Sequence, residues 1–210
     1  MKRKLKQLSV VVSLLGGLAA LLTGCSGRPS RVKQPAYPSG AGAAAVAAYD
    51  TNGDGAIGGA ELERVPALRE SLKQVDANGD GLLTAEEIDK RIQSWRDSKI
   101  AEMAIMCQVL LDGSPLAGAR VEFEPEPFLG PNLKPASGTM GPNGEARVSM
   151  AAEHLSDPRY PGVACGWYKI RVTCNDRKIP ARYNTQTTLG CELAMNIPYQ
   201  GKLLIELKSQ

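Results

Sequence analysis

Asp50-Thr51-Asn52-Gly53-Asp54-Gly55-Ala56-Ile57-Gly58-Gly59-Ala60-Glu61 decides how the chain is read, because its twelve-position pattern returns as Asp76-Ala77-Asn78-Gly79-Asp80-Gly81-Leu82-Leu83-Thr84-Ala85-Glu86-Glu87. Positions 1, 3 and 5 carry short oxygen-bearing side chains: Asp50, Asn52 and Asp54, then Asp76, Asn78 and Asp80. Position 6 is Gly55 or Gly81, and only glycine takes the positive φ of a sharp turn at little cost. Position 7 offers the backbone carbonyl of Ala56 or Leu82, and position 12 the carboxylate of Glu61 or Glu87. A hard cation of calcium's size takes six to eight oxygens at roughly 2.3–2.6 Å, and this spacing supplies them. Position 9 distinguishes the copies: Gly58 leaves its place to a water, whereas Thr84 reaches an ion directly or through water. The expectation is two Ca2+ ions, one for each turn.

Both turns resemble EF-hand calcium loops, and the resemblance implies that Ile57 and Leu83, at position 8, pair across them so that the two hands form one unit. The alanine-rich run from Ala41 to Tyr49 suits the entering helix of the first hand. Between the loops, Pro66 requires a break, which predicts a short exit helix near Gly59 to Arg64 and an entering helix from about Pro66 to Val75. Leu68, Leu72 and Val75 of that helix face the core of the pair. Thr84 and Glu87 stand in capping-box spacing, ahead of a helix from Ala85 to about Ser98 with Ile88, Ile92 and Trp95 as its apolar stripe. Calcium sensors open a methionine-rich groove, but no methionine occurs between Ala41 and Ile100. A structural site of the extracellular type, with a dissociation constant on the order of 0.1–1 mM, fits better. The same segment holds 11 acidic and 7 basic residues, a net of −4 that two calcium ions cancel.

The first residues read as an export signal. Lys2, Arg3, Lys4 and Lys6 precede an apolar run from Leu8 to Leu22, too short for a comfortable membrane span. Leu22-Thr23-Gly24-Cys25 resembles the bacterial lipobox, which implies cleavage after residue 24 and lipid on Cys25. The other readings are an ordinary cleaved signal and an uncleaved anchor. Several acyl chains anchor a protein stably, so the expected location is the bacterial envelope. By the sorting rule of lipoproteins in double-membraned bacteria, Ser26 favours the outer membrane over the inner. Residues 25–40, with Pro29, Pro35 and Pro38 among small and basic residues, read as a flexible tether. The whole chain has 25 Lys and Arg against 22 Asp and Glu. Removing the four basic residues of the signal leaves 21 against 22, a net of −1, which gives no electrostatic surface for nucleic acid.

From Ala104 the pattern changes to short alternating runs bounded by turns. The expected strands are Ile105 to Leu111, Ala119 to Glu124, Glu145 to Met150, Trp167 to Cys174, Thr188 to Asn196 and Lys202 to Leu207. Together they predict a small antiparallel β-sandwich. The fold class is therefore α+β by separate domains: an all-α EF-hand pair over 41–100, then the sandwich over 104–208. Residues 125–137 and 153–162 read as long loops, with Glu124 and Glu126 in a solvated one. The runs Val109-Leu110-Leu111-Asp112-Gly113-Ser114-Pro115-Leu116-Ala117-Gly118-Ala119, Pro142-Asn143-Gly144-Glu145 and Gly166-Trp167-Tyr168-Lys169-Ile170-Arg171-Val172 resemble the carboxypeptidase regulatory-like, transthyretin-like β-sandwich of bacterial exported proteins. That resemblance implies an accessory role with no catalytic residues to carry over.

Cys107, Cys165, Cys174 and Cys191 make an even number in an exported chain, consistent with two disulfides in any of three pairings or with free buried thiols. His154, the one histidine, lies in a polar stretch without a nucleophile motif, and no zinc spacing or phosphate loop occurs. The sequence thus favours a non-enzymatic calcium-binding protein, lipid-anchored in a membrane, whose β module binds an envelope protein or polysaccharide. The alternatives are a dockerin-like docking module and an accessory subunit of a secreted hydrolase.

Overall fold

A hydrophobic period near four gives way to one of two at about residue 100, and the architecture changes with it. The computed structural model describes residues 33–195 and 202–210; the expected signal, Cys25 and the first part of the tether lie outside them. All the described residues belong to one compact unit, and no helix among them is long and apolar enough to cross a membrane.

The helical half runs α1 (Ala41–Tyr49), β1 (Ala56–Gly58), a 3-10 turn (Gly59–Arg64), α2 (Pro66–Glu70), α3 (Leu72–Val75), β2 (Leu82–Thr84) and α4 (Ala85–Ser98). α1 is made of small residues because it lies very close to α4: a Cβ on Gly42 would stand 2.0 Å from the Ala85 carbonyl oxygen. Pro66 opens α2 as its first residue, where its missing N–H costs nothing. The continuous helix expected over 66–75 is instead two pieces. Ser71 interrupts it, its hydroxyl donating back to the Ala67 carbonyl at 2.7 Å, a bond that competes with the helical ladder. Thr84 caps α4 as the sequence predicts, accepting from the Glu87 amide at 3.3 Å. Ile88, Ile92 and Trp95 are buried together with Leu68 and Val75.

The second half contains β3 (Ile105–Leu111), β4 (Ser114–Pro115), β5 (Arg120–Pro125), β6 (Ala136–Thr139), β7 (Glu145–Met150), β8 (Gly166–Thr173), β9 (Leu189–Leu193) and β10 (Lys202–Leu207). They form one sheet in the order β10-β3-β7-β6-β5-β8-β9, with β4 added to β3. β7 turns the corner, pairing with β3 through residues 145–148 and with β6 through Ser149 and Met150. The sheet curls over a core that includes Val109, Val121, Phe123, Tyr168 and Ile205. One pairing departs from the all-antiparallel expectation: β10 runs parallel to β3, Lys202 opposite Met106 through Leu207 opposite Leu111.

Three further expectations change. Residues 33–40 do not belong to a free tether: Tyr37 is buried, its hydroxyl donates to the Cys165 carbonyl at 2.8 Å, and Gln34 donates to the carbonyls of Trp95 and Ile100. The stretch 125–137 is not a solvated loop, because Glu126, Phe128, Leu129 and Leu133 are buried and its last residues enter β6. Cys107, Cys165, Cys174 and Cys191 are all free thiols, so neither disulfide is formed. Cys107, Cys165 and Cys191 pack as small hydrophobes, and burial pushes the Cys107 thiol up to about 12 and Cys165 up to about 11.

Candidate metal centre

The two loops fold alike. In the first, Asp50 accepts from the Gly53 amide at 2.6 Å and the Gly55 amide at 2.9 Å; in the second, Asp76 accepts from Gly79 and Gly81 at the same distances. Asn52 and Asn78 accept from the amides of Asp54 and Asp80, which in turn accept from the amides of Ala56 and Leu82. Gly55 and Gly81 sit at φ 89° and 81°, the left-handed turn that any side chain would strain. Ile57 stands opposite Leu83 in the short β1–β2 ladder, and both are fully buried. The expected cross-loop pairing is therefore present, and it ties the loops into one unit.

The position-12 carboxylates close each loop onto its own beginning. Glu61 accepts from the amides of Thr51 at 2.7 Å, Asn52 at 3.2 Å and Gly58 at 3.1 Å. Those bonds, with Thr51 first, hold its carboxyl down at about 2. Glu87 accepts from the amides of Ala77 and Thr84, and the Thr84 hydroxyl donates to it at 2.8 Å. Thr84 thus orients Glu87 and caps α4 at once. Among the described residues no three His, Cys, Asp or Glu side chains are drawn together into a finished cage. Instead, Asp50, Asn52, Asp54 and Glu61, like Asp76, Asn78, Asp80 and Glu87, spend their oxygens on amides lining the inside of one turn. With Ala56 and Leu82 supplying carbonyls, the donor set is all oxygen with no imidazole or thiolate, which suits a hard cation such as calcium rather than zinc.

A family model described as EF hand matches residues 47–66 and 68–91. The match spans both loops with the end of α1 and the first half of α4, and it leaves the sheet uncovered. No curated protein and no solved structure matches the chain.

The EF-hand pair is not free-standing. β8 and β9 turn one face to the core of the sheet through Tyr168 and Cys191, and the opposite face, through the cross-strand neighbours Trp167 and Glu192, to the helices. Trp167 donates to the Ser71 hydroxyl at 2.8 Å and lies 4.4 Å, centroid to centroid, from Trp95. Glu192 accepts from the Arg91 guanidinium at 2.6 Å and the Trp95 indole at 2.8 Å. On the other side of this interface Tyr49, the residue before Asp50, donates to the buried Glu126 at 2.9 Å, with the Lys169 ammonium 3.7 Å away. Sequence reasoning placed Trp95 in the apolar stripe of α4 without an interface, and it missed Glu126, Arg91 and Glu192 as interface residues. No sequence signal marked them: Glu192 interrupts the apolar residues of Cys191-Glu192-Leu193-Ala194, and only the fold shows all four buried.

Proposed function

We propose that the chain is a calcium-binding protein of the bacterial envelope in which the EF-hand pair acts as a structural clamp on the β domain, with two ions as its staples. The observation that carries this reading is the burial of Trp167 and Glu192 of the sheet against Ser71, Arg91 and Trp95, on helices that flank the second loop. Asp50, Asn52, Asp54, Ala56 and Glu61 would hold one ion, and Asp76, Asn78, Asp80, Leu82 and Glu87 the other. The bound ions supply positive charge that offsets the −4 of the helical segment. The chain's own part is to hold eight polar side chains on two turns, the second of which leads into α4 with its interface residues Arg91 and Trp95.

In this reading Cys25 carries the lipid anchor, and the β domain is a non-catalytic, transthyretin-like accessory module. His154 is exposed in a short 3-10 turn, with no nucleophile motif in the sequence around it. Ion pairs engage Glu124 with Arg171 and Glu122 with Arg120, each at 2.9 Å. These pairs line an open groove of about 660 Å³ across β5 and β6, where a polysaccharide or an envelope protein would lie.

Calcium titration by calorimetry is the test, together with melting in calcium and in chelator. The expected outcome is two ions bound at sub-millimolar to millimolar affinity and a higher Tm with calcium. No heat at millimolar calcium and an unchanged Tm would defeat the reading.

A further inference from the structure

The sheet ends on β10, and the two sides of that strand are in different states. The Leu207 carbonyl accepts from the Asp112 amide at 2.9 Å, so the backbone groups of Leu203, Ile205 and Leu207 face β3. Those of the even-numbered residues face outward, because the two backbone groups of a residue share a side and successive residues alternate. The fold covers the outward groups at the far end: the Lys208 amide donates to the Tyr183 hydroxyl at 3.1 Å, and the Lys208 carbonyl accepts from Arg182 at 2.9 Å. Among the described residues β3 is the one strand that pairs with β10. Lys202, Leu204 and Glu206 therefore present six backbone groups along an open edge, a ready template for another strand. All three side chains are exposed, and Leu204 is 50% exposed despite being apolar.

We propose that this edge pairs with the same edge of a second copy of the chain, antiparallel about a two-fold axis at Leu204. The occupant is indicated by charge. In that register Leu204 meets Leu204 of the second copy, Lys202 meets Glu206, and Glu206 meets Lys202, so every free backbone residue is used and the facing charges are opposite, although the Lys202 ammonium also reaches Glu145 of its own chain at 2.7 Å and is shared between the two carboxylates. A slip of two residues in either direction leaves one free residue unpaired and sets a charge against leucine. A two-fold contact requires this self-complementarity, and opposite charges directly across an antiparallel pair are favourable. The strip is small, which places the dimer among transient interfaces with a dissociation constant of about 1–100 µM. The EF-hand pair lies at the β8–β9 end of the sheet, so both metal centres stay accessible.

Sedimentation of the full chain in a density-matched non-ionic detergent, at fixed calcium, tests the proposal. The wild-type chain should dimerise. Lys202→Glu and Glu206→Lys should each weaken the dimer about ten-fold, since each places like charges opposite one another twice, and the double exchange should restore it. Leu204→Pro should abolish the dimer while keeping the β3 pairing, because the N–H it removes faces the edge. Monomeric wild-type chain at several hundred micromolar overturns the proposal, whether or not its edge takes a foreign strand. So does a dimer indifferent to the single exchanges, or one not restored by the double exchange.

Discussion

Trp95 of the last EF-hand helix lies edge-on to Trp167 of β8, with ring centroids 4.4 Å apart and planes at 63°. Both rings are almost completely buried, and they are the chain's two tryptophans. Intrinsic tryptophan fluorescence is therefore a private reporter of the interface between helices and sheet. If the pair is a clamp, chelation should shift the emission to the red as the rings meet water, and calcium should reverse the shift. Trp167→Ala removes a large buried aromatic together with its hydrogen bond to Ser71, so it should cost about 3–5 kcal/mol in urea denaturation.

Arg91 and Glu192 form a buried ion pair at 2.6 Å in which burial pushes the Glu192 carboxyl up and Arg91 pulls it back. Removing one partner leaves an uncompensated charge, so Arg91→Met or Glu192→Leu alone should destabilise the fold by about 3–5 kcal/mol. The double variant should recover part of that loss, because two apolar groups need no counter-charge while the Trp95 indole loses Glu192 as its acceptor. Equal losses in the double and single variants would show that packing alone is at stake.

The division of the chain was legible because hydrophobic period is a local property: Ile88, Ile92 and Trp95 recur at helical spacing and Leu203, Ile205 and Leu207 at strand spacing. The loops were legible to the residue because metal geometry fixes spacing within twelve positions. The covering of β8 and β9 by helices was not legible, since it depends on contacts between Ser71 and Trp167 or Arg91 and Glu192, far apart in sequence. The same holds for Glu126, which in sequence stands among prolines like any solvated turn residue and in the structure is closed over by α1 and Phe128. The parallel placement of β10 is another such contact, because alternation fixes which face a strand buries and says nothing of its direction.

Glu126 gives a pH signature. It is fully buried, its Oε1 has no hydrogen-bond partner, and burial raises its carboxyl above the usual 4.5 against the pull of Lys169 and Tyr49, with Glu124 adding to the rise. Between that value and the folded one, the native chain keeps a proton that the unfolded chain releases, so stability falls as pH rises through the window. Glu126→Gln should reduce this fall in urea midpoints measured from pH 4 upward. Glu192, shifted the same way, leaves a residual slope. A variant with the wild-type slope would mean that Glu126 is ionised at little cost.

Gly190 of β9 marks how closely sheet and helices approach: a Cβ there would lie 2.2 Å from the Ala67 amide nitrogen and 2.5 Å from the Pro66 carbonyl carbon. Backbone cannot step aside as a side chain can, so Gly190→Ala should push α2 off the sheet. A loss of about 1–3 kcal/mol is expected, read as a lower Tm with red-shifted emission. An unshifted spectrum would place the strain elsewhere.

The loops themselves give the decisive comparison. Glu61 and Glu87 each join the end of a loop to its start, and Ile57 faces Leu83 between them. Glu87→Gln removes the charge of the position-12 ligand while keeping an oxygen that can accept from the Ala77 amide. Calorimetry should then show one ion instead of two near ~1 mM calcium, because affinity in such loops follows ligand charge. The first site should weaken as well, since the β1–β2 ladder makes each loop part of the other's frame. The tryptophan signal sets the two hands apart: Glu87 stands in the first turn of the helix that carries Trp95, so its loss should reduce the calcium-dependent shift more than Glu61→Gln does. Equal effects would mean that the hands act on the sheet only as a unit.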